Sequence, residues 1–260
     1  MSIAKVIKNI YHLARVNLIH SAWAKLGRNP QASPSLNYIP ETNMIIYRQV
    51  AEFTMTSPER VSALIDGVRY IVENNIDGAF VECGVWRGGS AMAIALTLQS
   101  MGVYDRDIYL FDTFTGMTLP SDHDISSNGE IALDIFNSKR IDSLTSNWCL
   151  ATVDEVIYNM KTTGYPVEHV VIHKGPVEET LPHLLPDSVA LLRLDTDWYQ
   201  STRHELNCAY PRLTKNGILL VDDYGFWKGS KRALDEYIAE NELTLYLHRI
   251  DDTGRITIKT

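Results

Sequence analysis

Cysteine is scarce in this sequence, and long apolar runs are missing. Cys83, Cys149 and Cys208 are the three cysteines among 260 residues, and no CxxC or Cys/His zinc spacing links them. This pattern argues against a disulfide framework or a zinc site and favours reduced thiols in the cytoplasm. Because no run of about 18 apolar residues occurs and the N-terminus lacks a signal-peptide pattern, we expect neither a transmembrane segment nor secretion.

Positive charge is also in short supply. The 24 Lys and Arg residues face 32 Asp and Glu residues, which gives a formal net charge of −8 and a pI near 5.5. A chain this acidic repels phosphate backbones, so nucleic acid is not an expected partner. The apolar share of 45%, with 15 Gly and 10 Pro, excludes disordered and collagen-like classes and leaves room for one sizeable domain.

The first 50 residues differ from the rest and are predicted to form a helical extension and a linker. Apolar residues follow helical spacing from Ile3 to Ala14, while Lys5, Lys8 and Arg15 lie on the opposite face. Such a helix can lie on a membrane surface. It can also pack on its own domain or on a partner subunit, which is the commoner arrangement. The prolines that follow indicate a linker or loop.

From about residue 57 the chain alternates between helix and strand patterns. Residues 57–59, Ser-Pro-Glu, form a helix start, Thr152 opens a capping box, and Ser201 is expected to cap a later helix. Strands that are apolar nearly throughout indicate a parallel sheet covered on both faces, so we predict a doubly wound α/β domain with ligands at the carboxyl ends of its strands. Seven strands are predicted, over residues 79–85, 107–114, 169–175, 189–197, 217–225 and a terminal hairpin of 243–250 and 255–260.

A glycine turn and a carboxylate favour a nucleoside cofactor. The first strand runs through Glu82 into a turn with glycines at 84, 88 and 89, which lets a ligand approach the backbone at a helix N-terminus. The second strand ends in Asp112, where a carboxylate can accept both hydroxyl hydrogens of a ribose. A bare tight turn and a helix-capping aspartate are the alternatives when each feature is taken singly. Together the two features favour a bound nucleoside.

Two pairs of aspartates follow the next strand patterns. Asp195 and Asp197 end the fourth strand, and Asp222 and Asp223 end the fifth. Neighbouring carboxylates repel, so four at adjacent strand ends are costly without a cation, and oxygen-rich sites select Mg²⁺. A single aspartate in such a place is more often a helix cap or a loop residue. Two pairs on consecutive strands favour a metal site.

Several segments closely resemble the macrocin and mycinamicin type of sugar O-methyltransferases, the TylF family. The resemblance runs from about residue 50 to 238, and its most specific parts are VECGVWRGGSA, LFDTFTGM, LRLDTDWYQST and YPRLTKNGILLVDDYG. It implies a Rossmann-like class I methyltransferase domain over residues 51–260, with a mostly parallel sheet and a C-terminal antiparallel hairpin. It also implies a homo-oligomer, a dimer or larger.

The activity that this resemblance implies is the Mg²⁺-dependent transfer of methyl from S-adenosylmethionine to a hydroxyl of a sugar or glycosylated natural product. Asp197 matches the family's general base, and the metal ligands match Asp195, Asp222 and Asp223. Thr54 and Met55 would close over the methionine end of the cofactor. The remaining cofactor-lining positions that the resemblance implies are Glu82, Cys83, Gly84, Val85, Trp86, Ser90, Asp112, Thr113, Phe114 and Gly116.

The chain departs from the family pattern next to the proposed base. Thr196 stands where the family commonly has glycine, Gln200 where it has glutamate, and Trp198 adds bulk. These changes leave the acceptor open, as does the loop over residues 115–149, which could supply an acceptor pocket or lid. A DxD-type glycosyltransferase is the alternative function, although it leaves Asp222 and Asp223 unexplained. A non-catalytic scaffold leaves all four aspartates unexplained.

Overall fold

The structure is a computed structural model that describes residues 38–143 and 145–260. Residues 39–260 form one compact unit. The predicted amphipathic helix near the N-terminus and most of the predicted linker lie outside the described residues.

The compact unit alternates helices and strands, as predicted. No helix in the described ranges is both long and apolar enough to cross a membrane. The helices are α1 (Glu41–Val50), α2 (Pro58–Glu73), α3 (Gly89–Ser100), α4 (Ala132–Ser138), α5 (Val153–Thr162), α6 (Val177–Leu184), α7 (Tyr199–Ala209) and α8 (Lys228–Glu240). The strands are β1 (Ala79–Cys83), β2 (Ile108–Asp112), β3 (Val170–Lys174), β4 (Val189–Leu194), β5 (Leu213–Val221), β6 (His248–Arg249) and β7 (Arg255–Ile258).

The strands form a seven-stranded sheet in the order β3-β2-β1-β4-β5-β7-β6. The first five are parallel to one another, and β7 runs antiparallel to β5 and to β6. This arrangement confirms the predicted Rossmann-like fold with its C-terminal antiparallel hairpin. Crossover helices cover both faces of the parallel part, which is why its central strands are apolar nearly throughout.

Two apolar layers sandwich the sheet. Successive side chains of a strand point to opposite faces, so Phe80 joins the layer under α1, α2, α3 and α5, while Val81 joins the layer under α6, α7 and α8. Helix α1 precedes residue 51, the predicted start of the domain, and it contributes the buried side chains Ile46 and Val50 to the first layer.

The local sequence predicts three helix caps; two are confirmed, and the third is wrong. Ser57 Oγ accepts from Arg60 N at 3.2 Å, and Thr152 Oγ1 accepts from Glu155 N at 3.2 Å. Helix α7, in contrast, begins at Tyr199 rather than after Ser201. The Tyr199 amide donates to Asp124 Oδ1 at 2.8 Å, so a distant carboxylate supplies the cap expected from Ser201.

Two further segments differ in detail from the sequence-based prediction. The first strand of the hairpin pairs over His248–Arg249 alone, because Leu243, Leu245 and Leu247 pack against the apolar layer under α7 and α8 instead of joining the edge. The loop over residues 115–149 contains α4, whose seven residues are too few to give a clear helical period.

Gly84 is required by a close backbone approach at the end of β1. Its φ is +84°, and a Cβ there would lie 2.1 Å from the carbonyl oxygen of Asp195. We expect Gly84→Ala to lower the free energy of unfolding by about 1–2 kcal/mol for the left-handed backbone plus about 1–3 kcal/mol for overpacking. Gly102→Ala is the matched control, because Gly102 has φ +74° and no atom lies within 4 Å of the position that its Cβ would occupy. Urea unfolding of both variants checks this, and equal losses would contradict the steric explanation.

Candidate active site

The carboxyl ends of four neighbouring strands place the predicted site residues together. Cys83 at the end of β1 is aligned with Phe111 of β2 on one side and with Leu194 of β4 on the other, and Leu194 is aligned in turn with Val221 of β5. The next residues along each strand are therefore neighbours at one edge of the sheet. They are Gly84, Asp112, Asp195 and Asp222.

Asp112 holds the glycine turn in place. Its Oδ2 accepts from the amides of Val85 at 2.7 Å and Trp86 at 3.1 Å, and its Oδ1 accepts from the amide of Phe114 at 2.7 Å. Trp86 and Phe114 both have positive φ, at 47° and 51°. One carboxylate thus fixes the two turns that the sequence predicts to line a nucleoside cofactor.

The segment before α2 reaches the same turn. The amide of Gly89, at the start of α3, donates to Phe53 O at 3.0 Å, and a Cβ on Gly89 would lie 2.6 Å from Thr54 Cβ. Met55 beside it is 53% exposed. The structure therefore brings Thr54 next to the glycine turn, and the closing of Thr54 and Met55 over a cofactor remains a prediction.

A buried arginine that the sequence analysis did not identify connects the glycine turn after β1 with the aspartates after β4 and β5. Arg193 of β4 is 2% exposed. Its Nη1 donates to Glu82 Oε1 and to Asp195 Oδ2, each at 2.7 Å, and its Nη2 donates to Asp222 Oδ1 at 2.8 Å and Thr56 Oγ1 at 2.9 Å. The one signal for it in the sequence is a lone charge inside the apolar run ALLRL.

Glu82 lies beneath the glycine turn rather than on its surface. It is 1% exposed, and its Oε2 is buried without a hydrogen-bond partner in the described chain. Burial raises the pKa of Glu82 to about 7, although the charge and hydrogen bond of Arg193 oppose that shift. Glu82 therefore retains one unused acceptor oxygen at the predicted cofactor site.

A second arginine binds Asp222 from the other side. Arg60, in the first turn of α2, forms an ion pair with Asp222 Oδ2 and another with Asp251 Oδ2 at 3.0 Å. Ser57 Oγ donates to the same Asp251 oxygen at 2.7 Å. Both carboxylate oxygens of Asp222 thus face guanidinium groups, and the turn of the terminal hairpin is tied to the site.

Asp195, which also pairs with Arg193, converges with two further carboxylates. Oxygens of Asp195, Asp197 and Asp223 all lie within 4.8 Å of one another, and Asp223 Oδ2 is buried with no hydrogen-bond partner in the described chain. Burial raises the pKa of Asp197 to about 7, and the charges of Asp195 and Asp222 act in the same direction. Burial and the neighbouring Asp197 also hold the pKa of Asp223 well above its usual range.

This donor set fits a hard divalent cation, which needs several oxygen ligands. The predicted ligands were Asp195, Asp222 and Asp223, with Asp197 as a base. The structure groups Asp197 with Asp195 and Asp223, while Asp222 lies nearby between the two arginines. The division of these aspartates into ligands and base remains a prediction.

The loop over residues 115–149 forms one wall beside the acidic residues. Trp198 Nε1 donates to Thr118 O at 3.1 Å, and the Trp198 ring packs edge-on against Trp148 and Trp227 with centroids 5.5 and 5.1 Å away. Burial and the charge of Asp197 raise the pKa of Cys149, so its thiol stays protonated. His123 in this loop is exposed, as expected of a surface residue rather than a catalyst.

The parallel sheet with its antiparallel hairpin, the glycine turn and the acidic strand ends define the class of Rossmann-like methyltransferases. The chain belongs to the family described as Macrocin-O-methyltransferase (TylF), whose model matches residues 45–258. It is therefore an S-adenosylmethionine-dependent O-methyltransferase, and this assignment favours methyl transfer over the alternative of a glycosyltransferase.

Two curated relatives and one solved structure support the assignment. The demethyldecarbamoylnovobiocin O-methyltransferase of Streptomyces niveus is 31% identical over 201 residues, which cover 77% of this chain and 73% of that protein. The mycinamicin III 3''-O-methyltransferase of Micromonospora griseorubida is 30% identical over 201 residues, which cover 77% and 76%. The solved structure of the O-methyltransferase NovP has a TM-score of 0.70 at 30% identity and covers 80% of this chain and 82% of its own.

Removal of the Arg193 charge tests the importance of the buried cluster. We expect Arg193→Met to lower the free energy of unfolding by about 3–5 kcal/mol, because it leaves Glu82, Asp195 and Asp222 without their shared cation. Arg48→Met is the control, since the exposed Arg48–Glu41 pair should contribute little to stability. Denaturant unfolding at pH 7 measures both variants. Equal stabilities would show that the cluster does not depend on Arg193.

Proposed function

We propose that this enzyme methylates a hydroxyl of a sugar or glycosylated natural product, using S-adenosylmethionine and Mg²⁺. The observation that carries the proposal is the placement of a nucleoside-type glycine turn and an acidic oxygen cluster at adjacent strand ends. The names of the two curated relatives, which describe methylation of a novobiocin precursor and of mycinamicin III, support a glycosidic acceptor.

The cofactor would lie over the turns after β1 and β2. Its sulfonium supplies a methyl group that is already activated for transfer. Asp112 holds both turns through backbone amides, and Glu82 retains a buried oxygen that can accept a hydrogen bond. The residues proposed to line it are Thr54, Met55, Glu82, Cys83, Gly84, Val85, Trp86, Ser90, Asp112, Thr113, Phe114 and Gly116.

The acidic residues would hold the metal and receive the acceptor. When bound, Mg²⁺ would supply the positive charge that makes the acceptor hydroxyl more acidic. We assign Asp195, Asp222 and Asp223 as its ligands. Asp197 would then take the hydroxyl proton on a carboxylate oxygen, as a general base within hydrogen-bond reach can do.

Other parts of the chain would support this reaction. The loop over residues 115–149, which packs against Trp198, would help to keep water from the site during transfer. We also propose that the enzyme is a cytoplasmic homo-oligomer. Its methyltransferase domain, predicted to begin at residue 51, would also include α1 and span the compact unit of residues 39–260.

A methyl-transfer screen tests the proposed activity. Purified enzyme with labelled S-adenosylmethionine should methylate members of a panel of glycosides and nucleotide sugars. Chelation should abolish turnover and added Mg²⁺ should restore it, because the acceptor hydroxyl is a poor nucleophile without a cation. Calorimetry in chelator is the control and should still detect cofactor binding, since the glycine turn contains no metal ligand. Full turnover in chelator would contradict the metal requirement.

Two single substitutions separate the metal ligand from the base. Asp195→Asn should weaken Mg²⁺ binding, and excess Mg²⁺ should restore part of its turnover. Asp197→Asn should keep metal and cofactor affinity but lose about a hundredfold in rate, with no rescue by metal. The measurement is turnover against Mg²⁺ concentration, with the exposed Asp187→Asn as control. Rescue of Asp197→Asn alone would reverse the two assignments.

A further inference from the structure

Glu205 is a buried carboxylate that the proposed reaction does not use. It lies in α7 with 0% exposure, and its Oε1 accepts from Thr196 Oγ1 at 2.8 Å. Its Oε2 is buried with no hydrogen-bond partner in the described chain. Burying a carboxyl group with so few hydrogen-bond partners costs folding free energy, and the hydrogen bond from Thr196 offsets part of that cost. The contact it makes is to the residue between Asp195 and Asp197.

The chain changes direction at Thr196. Asp195 N still donates to Cys83 O at 2.8 Å, which continues the pairing of β4 with β1. Two residues later Asp197 has φ +70°, and Trp198 N donates back to Thr196 O at 2.8 Å. This turn separates Asp195 from Asp197 and sets the direction in which the Asp197 carboxylate points.

The turn needs an anchor if its conformation is to stay fixed. Aspartate adopts a left-handed backbone more readily than most residues with a side chain, but a free loop also samples other conformations. The Thr196 hydroxyl connects the turn to α7 through Glu205, and Ser201 Oγ adds a longer contact of 3.4 Å to Thr196 O. Helix α7 is packed on the sheet, so it offers a fixed anchor for a turn that must stay in register with Asp223 of the neighbouring strand end.

We propose that Thr196 and Glu205 are positioning residues, whose hydrogen bond holds the turn between Asp195 and Asp197 and directs Asp197 toward the acceptor. The inference rests on the proposed function, in which Asp197 takes the acceptor proton. Neither residue touches the reacting atoms. Loss of the tether lets Asp197 leave its productive position while the other acidic residues keep theirs.

Removal of the Thr196 hydroxyl tests the hydrogen bond to Glu205. Thr196→Val keeps the shape of the side chain and should lower kcat by about tenfold to a hundredfold, as displacement of a catalytic group by about 1 Å does. The Kd values for Mg²⁺ and S-adenosylmethionine, measured by calorimetry on the unreacted protein, should stay within about twofold. Thr196→Ser restores the hydroxyl and should restore kcat.

A matched control and a double variant separate positioning from general stability. Thr97→Val removes a buried hydroxyl that donates to a carbonyl, Ala93 O, within α3, and should leave kcat unchanged at a similar Tm. Glu205→Leu should reduce kcat about as much as Thr196→Val, and the double variant should lose no more than either single one. Additive losses, normal turnover in Thr196→Val, or failure of Thr196→Ser to restore kcat would overturn the proposal.

Hydrogen–deuterium exchange gives a readout that needs no turnover. The peptide covering residues 195–198 should exchange at least about tenfold faster in Thr196→Val than in wild type or Thr97→Val, because the turn that holds Thr196 O against the Trp198 amide is no longer tethered to α7. Unchanged exchange overturns the tether. If Thr196→Val exchanges faster but the wild-type protein itself transfers no methyl group, the proposed function is overturned and, with it, the catalytic role of the tether.

Discussion

A single buried guanidinium holds this site together. Arg193 contacts one residue before α2, one in β1, one after β4 and one after β5, and three of those four partners are carboxylates. Burying several like charges in a low-dielectric interior is unfavourable unless a cation is buried with them. The geometry of the strand ends therefore depends on Arg193 being present and charged. Arg60 is a second, largely buried cation, and its ion pairs join Asp222 to the turn of the terminal hairpin.

The same cation places the two halves of the site in one framework. Thr56 follows the segment that lies beside the glycine turn, and it accepts a hydrogen bond from the guanidinium that also binds Asp195 and Asp222. Asp112 performs a similar task with backbone amides. The cofactor turn and the acidic oxygens are thus parts of one connected polar network rather than two independent loops. Such networks favour a single arrangement because every broken contact leaves a buried polar group unpaired.

The sequence predicts features that depend on local pattern and misses those that depend on distant partners. The strands and their parallel arrangement follow from apolar runs that alternate with helix patterns, and Asp112 and the four aspartates are singled out by their position at strand ends. The role of Arg193 could not be predicted, because a single charge in an apolar run does not indicate which carboxylates will surround it. The start of α7 fails for the same reason, since its cap is Asp124, 75 residues away. Glu205 reads as an ordinary helix residue until its burial is known.

Asp124 links the loop over residues 115–149 to α7, the helix that follows the turn between Asp195 and Asp197. Its Oδ2 accepts from the amide and hydroxyl of Ser121, its Oδ1 accepts from the Tyr199 amide, and a Cβ on Gly229 would lie 2.0 Å from that oxygen. The loop is therefore not a detachable module. A chimera that takes residues 115–149 from another methyltransferase must import a carboxylate at this depth and keep glycine at 229. Without both, the transplanted loop would remove the cap of α7. It would then disturb the turn between Asp195 and Asp197, which the proposed reaction needs.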